Sequence, residues 1–146
     1  MAEHNIIGQK GEQIAVETMR KKGFRVVDTN WKFGHLEMDV IAVNRKEIAF
    51  VEVKTRTSSF GDKRPEEFVD ELKRRRMAAA ANAYIKIHQI ELVPRFDIIG
   101  ISMDPNTYEV KELTHLEDAF LPPQRTIGKS SFSGQDRWKH RGRVIG

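Results

Sequence analysis

Apolar residues near the start of the chain recur at the spacing of a helix face and then give way to strand-like composition. The spacing predicts a first helix from about Gln9 to Lys22, and Gly23 stands where a helix-ending glycine belongs. The apolar stripe of this helix comprises Ile14, Ala15, Thr18 and Met19. The next segment, Phe24–Trp31, is rich in aromatic and β-branched residues and is therefore predicted to be a strand.

Two further strands are predicted at Leu36–Val43 and Ile48–Lys54, and the polar turn between them suits a hairpin. The third strand begins with a continuous apolar run, Ile48–Val51. Such a run is typical of a strand whose two faces are both covered. The third strand is therefore expected near the centre of the sheet.

The second half of the chain predicts one long helix and two strands. A polar loop, Thr55–Arg64, precedes a helix expected from Pro65 to His88, since proline suits the first helical position. Its inward-facing residues are expected to be Phe68, Leu72, Met77, Ala80 and Ile85. The last two strands are predicted at Arg95–Met103 and Thr107–Leu113, with a turn between them.

The element order α-β-β-β-α-β-β predicts an α/β fold with a mixed five-stranded sheet flanked by helices. Residues 1–120 are expected to form this domain. After Phe120 the apolar pattern is replaced by Pro, Gly, Ser and basic residues, so residues 121–146 are predicted to be a disordered basic tail.

Charge is distributed unevenly along the chain. The segment from Pro122 to Gly146 carries a net charge of +5, which leaves −1 for residues 1–121. A basic tail can contact phosphate backbones or can simply keep the protein in solution, and the sequence leaves both readings open. The chain has no cysteine, which excludes disulfides and Cys-ligated zinc. No apolar run approaches the ~20 residues that span a bilayer, so a cytoplasmic protein without membrane contact is expected.

Candidate chemistry is concentrated on the second and third strands. Because side chains alternate along a strand, Glu37 and Asp39 share one face, as do Glu52 and Lys54. A hairpin would make the two pairs neighbours, and three carboxylates at one spot repel unless a divalent cation lies among them. Mg²⁺ suits such oxygen ligands, and Lys54 could stabilise charge on a phosphate. This set indicates phosphodiester hydrolysis. Ordinary cross-strand ion pairs would produce the same pattern.

Several segments resemble the YraN-like family of small bacterial proteins, which is placed by resemblance in the PD-(D/E)xK nuclease superfamily and is similar to archaeal Holliday-junction resolvases. They are Gly11-Glu12 with Ala15, Gly23-Phe24, Glu37-Met38-Asp39, Phe50-Val51-Glu52-Val53-Lys54-Thr55-Arg56 and Arg95-Phe96-Asp97. The resemblance implies a restriction-endonuclease-like fold. It places Asp39, Glu52 and Lys54 at the metal and catalytic positions, and Glu12 and Glu37 at the positions of additional acids.

The leading hypothesis is a Mg²⁺- or Mn²⁺-dependent endonuclease that hydrolyses DNA phosphodiester bonds, with branched or junction DNA as a candidate substrate. Asp39 and Glu52 would bind the metal with the Val53 carbonyl. The expected DNA contacts are Arg56, Lys63, Lys73 and Arg74.

A non-catalytic nucleic-acid-binding module and a protein-interaction subunit are the two alternatives, and a homodimer would suit a symmetric junction. Trp31 and Phe33 are interpreted as packing residues, and Asp97 as a structural ion-pair partner.

Overall fold

The computed structural model describes residues 2–63 and 65–122. Apart from its first two residues, the predicted tail lies outside the described residues. The element bounds are α1 (Ala2–Lys21), β1 (Arg25–Phe33), β2 (Leu36–Val43), β3 (Glu47–Arg56), a 3-10 turn (Pro65–Phe68), α2 (Glu71–His88), β4 (Val93–Met103) and β5 (Val110–Phe120). The predicted α/β fold class and element order are confirmed.

The five strands form one mixed sheet in the order β1-β2-β3-β4-β5. Strand β3 pairs antiparallel with β2 and parallel with β4, and the other two pairings are antiparallel. The sequence prediction of a central third strand is confirmed, because Ile48, Ala49, Phe50 and Val51 are all fully buried. The parallel β3–β4 pair requires a crossover, which α2 provides.

The two helices cover opposite faces of the sheet. From α1, Ala15 and Met19 pack with Ala49 and Val51 in one apolar cluster. On the other face, α2 contributes Met77, Ala80, Ala81, Tyr84 and Ile85 to a second cluster with Ile48 and Phe50. Because neighbouring residues of β3 alternate between the two clusters, both faces of the strand are apolar, as its sequence predicted.

The long helix predicted from Pro65 to His88 is wrong at its start. A 3-10 turn comes first, and α2 begins only after Asp70, whose carboxylate accepts a hydrogen bond of 2.8 Å from the Lys73 amide. An N-cap of this kind fixes where a helix starts, so Asp70 outweighs Pro65 as the start signal. Leu72 is consequently 57 % exposed and does not face inward as predicted.

The remaining boundaries shift by up to seven residues, the most at the start of α1 (Ala2, predicted Gln9) and at the end of β5 (Phe120, predicted Leu113). Helix α1 starts before Gln9, and Gly23 follows it with φ of +93°, a left-handed conformation that glycine adopts readily. Strand β5 starts later than Thr107, because the Asp104 carboxylate accepts bonds from the amides of Asn106 and Thr107 and holds that segment in a turn. Within the described part of the chain, no helix is long and apolar enough to cross a membrane.

Candidate metal and nuclease site

The candidate site lies where β2 and β3 stop pairing. The last backbone pair of this ladder is Val40↔Val51. One residue further on, Asp39 Oδ2 accepts a hydrogen bond of 2.9 Å from the amide of Val53. The Asp39 carboxylate thus accepts the Val53 N–H in place of a backbone carbonyl of β2, and this bond to the β3 backbone fixes the position of the carboxylate.

Glu52 is a buried acid without a strong partner. It is 8 % exposed, and its Oε1 has no hydrogen-bond partner among the described residues. Lys73 Nζ lies 3.5 Å from that oxygen, which is an ion-pair contact at the limit of hydrogen-bonding distance. Burial raises the pKa of Glu52 to about 7, and the negative charge of Asp39 adds to the rise. Lys73 and Lys54 lower that pKa, Lys54 by the smaller amount.

Asp39 and Glu52 behave as a pair. Burial raises the pKa of Asp39, against the lowering effects of the Val53 amide and the Lys73 charge. Each group acts on the other through its charge, since the negative charge of Asp39 raises the Glu52 pKa. Because two like charges close together are costly, the pair resists full ionisation near neutral pH. A divalent cation between the two groups would remove that resistance.

Glu12 reaches the same region from α1. Its Oε1 accepts a hydrogen bond of 2.8 Å from Asn30 Nδ2 on β1. Burial raises the pKa of Glu12, and the charges of Asp39 and Glu37 add to the rise. The structure therefore brings Glu12 beside the acid pair, which the sequence could not show because the approach depends on tertiary packing.

Glu37 and Lys54 lie at the margin of the acid pair. Glu37 is exposed and forms an ion pair of 3.5 Å with Lys32. Lys54 is half-buried and acts on Glu52 through its charge, but the ion-pair contact to Glu52 comes from Lys73 instead. Sequence reasoning assigned Lys73 only to DNA contact and missed this role. The Asp70 cap, which places Lys73 in the first turn of α2, was the available signal.

The other residues predicted to contact DNA differ in their surroundings. The Arg56 guanidinium lies 4.5 Å from the Phe60 ring centroid, and Lys63 is exposed in the loop that follows. Arg74 turns back on the protein, donating to the Val69 carbonyl at 3.2 Å and lying over the Phe120 ring. Arg56 and Lys63 are therefore the better placed of the set to meet a phosphate.

The donor set at the acid pair fits a magnesium ion. Within residues 2–63 and 65–122, no three acidic or histidine side chains converge closely enough to form a ready-made metal cage. Mg²⁺ commonly binds through one or two carboxylates and fills its other positions with water and substrate phosphate. Asp39 and Glu52 supply two carboxylates, and Glu52 Oε1, whose nearest cation is Lys73 Nζ at 3.5 Å, accepts no hydrogen bond from the described residues.

The fold and site define the chain as a mixed α/β domain with a carboxylate pair, one half-buried and one buried, at the point where β2 and β3 stop pairing. Residues 11–101 match the model of a family described as "Uncharacterised protein family UPF0102". The chain belongs to this family, and its resemblance to the YraN-like proteins is confirmed.

Relatives described as UPF0102 proteins match over almost their whole length. A protein of Bacteroides thetaiotaomicron is 40 % identical over 84 % of this chain and 98 % of its own length. One from Parabacteroides distasonis is 42 % identical over 86 % of this chain and 100 % of its own length. One from Flavobacterium psychrophilum is 40 % identical over 82 % of this chain and 98 % of its own length.

Proposed function

We propose that this protein is a Mg²⁺-dependent endonuclease that hydrolyses phosphodiester bonds of DNA, with branched or junction DNA as its substrate. The observation that carries the proposal is the Asp39–Glu52 pair, a half-buried and a buried carboxylate close together, of which Glu52 Oε1 lacks a hydrogen-bond partner among the described residues. Two such groups in a structural role would cost stability near neutral pH, since each resists ionisation beside the other.

Each residue of the site has a role in the proposed reaction that follows from its position. Asp39 and Glu52 would hold Mg²⁺ or Mn²⁺, with the Val53 carbonyl as a further ligand on the same strand. The bound metal would supply Lewis-acid activation of the phosphate and of a water molecule. Lys54 would stabilise the charge that develops on the phosphate. Lys73 favours the ionised form of Glu52, since its charge opposes the rise that burial causes in the Glu52 pKa. Glu12, fixed by Asn30, would orient water beside the pair.

Cleavage assays with matched variants test the proposal. The purified full-length chain is incubated with junction, flap and linear DNA in Mg²⁺, Mn²⁺ or EDTA. We expect metal-dependent cleavage that falls about 100-fold or more in Asp39→Asn, Glu52→Gln and Lys54→Met. Glu17→Gln, which changes an exposed acid of α1, should cleave like the unchanged protein. Cleavage that survives Asp39→Asn and Lys54→Met rejects the assignment.

Metal binding is measured separately by titrating Mn²⁺ and following its electron paramagnetic resonance signal. The unchanged protein should bind Mn²⁺, and both Asp39→Asn and Glu52→Gln should weaken binding. Salt-sensitive DNA binding that persists in Asp39→Asn, without metal-dependent cleavage of any substrate by the unchanged chain, would instead favour a non-catalytic binding module. Sedimentation with and without junction DNA tests whether a homodimer forms on a two-fold substrate.

A further inference from the structure

Two aromatic rings, Trp31 and Phe33, stack on each other on the edge strand β1, and this stacked pair is called the step below. Trp31 and Phe33 stack with their centroids 5.9 Å apart and an interplanar angle of 5°. Phe33 is 49 % exposed. One side of its ring meets Trp31, and the exposed remainder is available to a further ring. The interpretation of Phe33 as a packing residue therefore accounts for only part of its surface.

Contacts with Tyr84 of α2 fix the position of Trp31 in the step. Trp31 packs edge-on against Tyr84 of α2, with centroids 5.1 Å apart and an angle of 84°. Tyr84 is buried, and its hydroxyl donates a hydrogen bond of 2.9 Å to Asp28 on the same strand as the step. A ring whose support is fixed in this way loses little conformational entropy on binding.

The step and the acid pair belong to one surface. Trp31 joins the apolar cluster on the α2 face of the sheet, and Glu52 contacts Lys73 of α2 on that same face. Trp31 pairs with Met38, the neighbour of Asp39 in β2. Phe33 and Leu36 form the last pair at their end of the β1–β2 ladder, and β3, antiparallel to β2, ends at Arg56 on the same side of the sheet.

We infer that Phe33, backed by Trp31, is a stacking platform for an unpaired nucleobase of a DNA strand bound at the candidate site. This inference rests on the proposed function and narrows its substrate class to DNA that carries a single-stranded or flapped segment. A base inside a duplex is already stacked on both faces, and only an unpaired base can continue the Trp31–Phe33 stack. Cations suited to the DNA backbone stand at the same end of the sheet as Phe33, at Lys54 and Arg56 in the last residues of β3.

Binding without cleavage tests the platform directly. Single-stranded DNA carrying 2-aminopurine is titrated with full-length protein in EDTA, and fluorescence quenching reports stacking. We expect quenching with the unchanged protein and with Phe33→Tyr, and a loss of quenching with about 5- to 100-fold weaker binding for Phe33→Ala. Leu113→Ala, which trims a similarly exposed apolar residue on the opposite edge strand β5, is the control and should behave like the unchanged protein. Affinity for a blunt duplex should be the same in all four proteins.

The outcomes separate the platform from the nuclease. Salt-sensitive binding that is unchanged in Phe33→Ala overturns the platform and leaves the nuclease proposal standing. Quenching that depends on Phe33, in a protein that cleaves no DNA, supports the platform and rejects the nuclease. If the unchanged protein binds no DNA, both are overturned. Self-association abolished by Phe33→Ala without effect on DNA binding also overturns the platform, since a second copy of the chain would then be its occupant.

Discussion

Glu52 and Asp97 are buried carboxylates on adjacent parallel strands, and their surroundings shift their pKa values in opposite directions. Asp97 is fully buried, yet its pKa is lowered. Burial alone would raise it, but hydrogen bonds from His115 and from the Asp118 amide, together with the Arg95 charge, outweigh burial. Glu52 has one cation at 3.5 Å and a second acid beside it, so burial prevails and its pKa rises to about 7. The number of partners thus distinguishes a structural acid from a candidate metal ligand.

Glu52→Gln should stabilise the metal-free protein at pH 8. The Glu52 pKa is about 7 in the folded protein against 4.5 for an ordinary glutamate, so the folded state binds the extra proton between these values. The contribution of Glu52 to the free energy of unfolding is therefore intact below about pH 4.5 and falls as pH rises through 7. That loss is on the order of 3 kcal/mol at pH 8.

Urea unfolding in EDTA at pH 5 and pH 8 measures this effect. The glutamine variant should gain stability over the unchanged protein at pH 8 and gain much less at pH 5. Glu17→Gln, at an exposed position of α1, should show no such pH-dependent difference. Equal effects of Glu52→Gln at both pH values would contradict the raised pKa.

At the scale of the elements, α1 reaches the site because it lies unusually close to β3. A Cβ placed on Gly11 would overlap Cγ2 of Thr55, so only glycine allows this approach. Glu12 follows Gly11 directly, and the same close packing brings its carboxylate within reach of Asn30 and the acid pair. The glycine acts here through the space that it leaves, since its backbone is ordinary helix.

Gly11→Ala should lower stability by about 1–3 kcal/mol, because overpacking outweighs the better helix propensity of alanine. Gly8→Ala, in the same helix with open space around its Cβ, should instead raise stability by up to about 1 kcal/mol. Removing the opposing methyl and hydroxyl groups in Gly11→Ala/Thr55→Ala should reduce the extra cost. Denaturant unfolding of the unchanged protein, Gly11→Ala, Thr55→Ala and the double variant measures this as a double-mutant cycle. A Gly11→Ala protein as stable as Gly8→Ala would show that α1 is free to shift.

Across the whole molecule, two polar centres contact α1, one at its middle and one just beyond its C-terminal end. Glu12 joins the acid pair in the middle of the helix. Lys22, just after the helix, contacts His115 Nδ1 and Glu117 at 2.8 Å each. His115 Nε2 in turn lies 2.7 Å from Asp97, which also binds Arg95 at 2.9 Å. This second centre joins α1, β4 and β5, and its charges are satisfied by one another, which assigns it to stability.

Asp97→Asn should cost about 3–5 kcal/mol, the range for removing one partner of a buried ion pair, because Arg95 would lose its closest carboxylate. The lowered Asp97 pKa determines how the contribution of Asp97 to the free energy of unfolding changes with pH. Its contribution is present above the ordinary pKa of 3.8 and is lost as pH falls through the lower folded value. Urea unfolding at pH 7 checks the loss, and Asp39→Asn is the comparison, which should not be destabilised in the same way because it removes a like-charge neighbour of Glu52. An Asp97→Asn protein as stable as the unchanged chain would contradict the structural role.

Much of the candidate site could be predicted from strand periodicity. The alternation rule placed Glu52 and Lys54 on one face of β3. In the structure Glu52 contacts Lys73 of α2, and the Lys54 charge acts on Glu52. It could not show that β2 and β3 separate after Val40↔Val51, which is what lets Asp39 turn toward the Val53 amide. It also missed Lys73, because the predicted helix start was set at Pro65 and not at the Asp70 cap.

The sequence by itself determined the element order and the central position of β3, because apolar periodicity and local caps act over a few residues, and its resemblance to known proteins indicated the family. Only the tertiary structure decided that Lys73 is the cation in contact with Glu52 and that Glu12 of α1 lies near Asp39. It also decided that Phe33 stays exposed while its ring stacks on Trp31. Those outcomes depend on how closely helices pack on the sheet and on where a strand pair ends. Contacts between residues distant in the chain set both, and no local pattern encodes them.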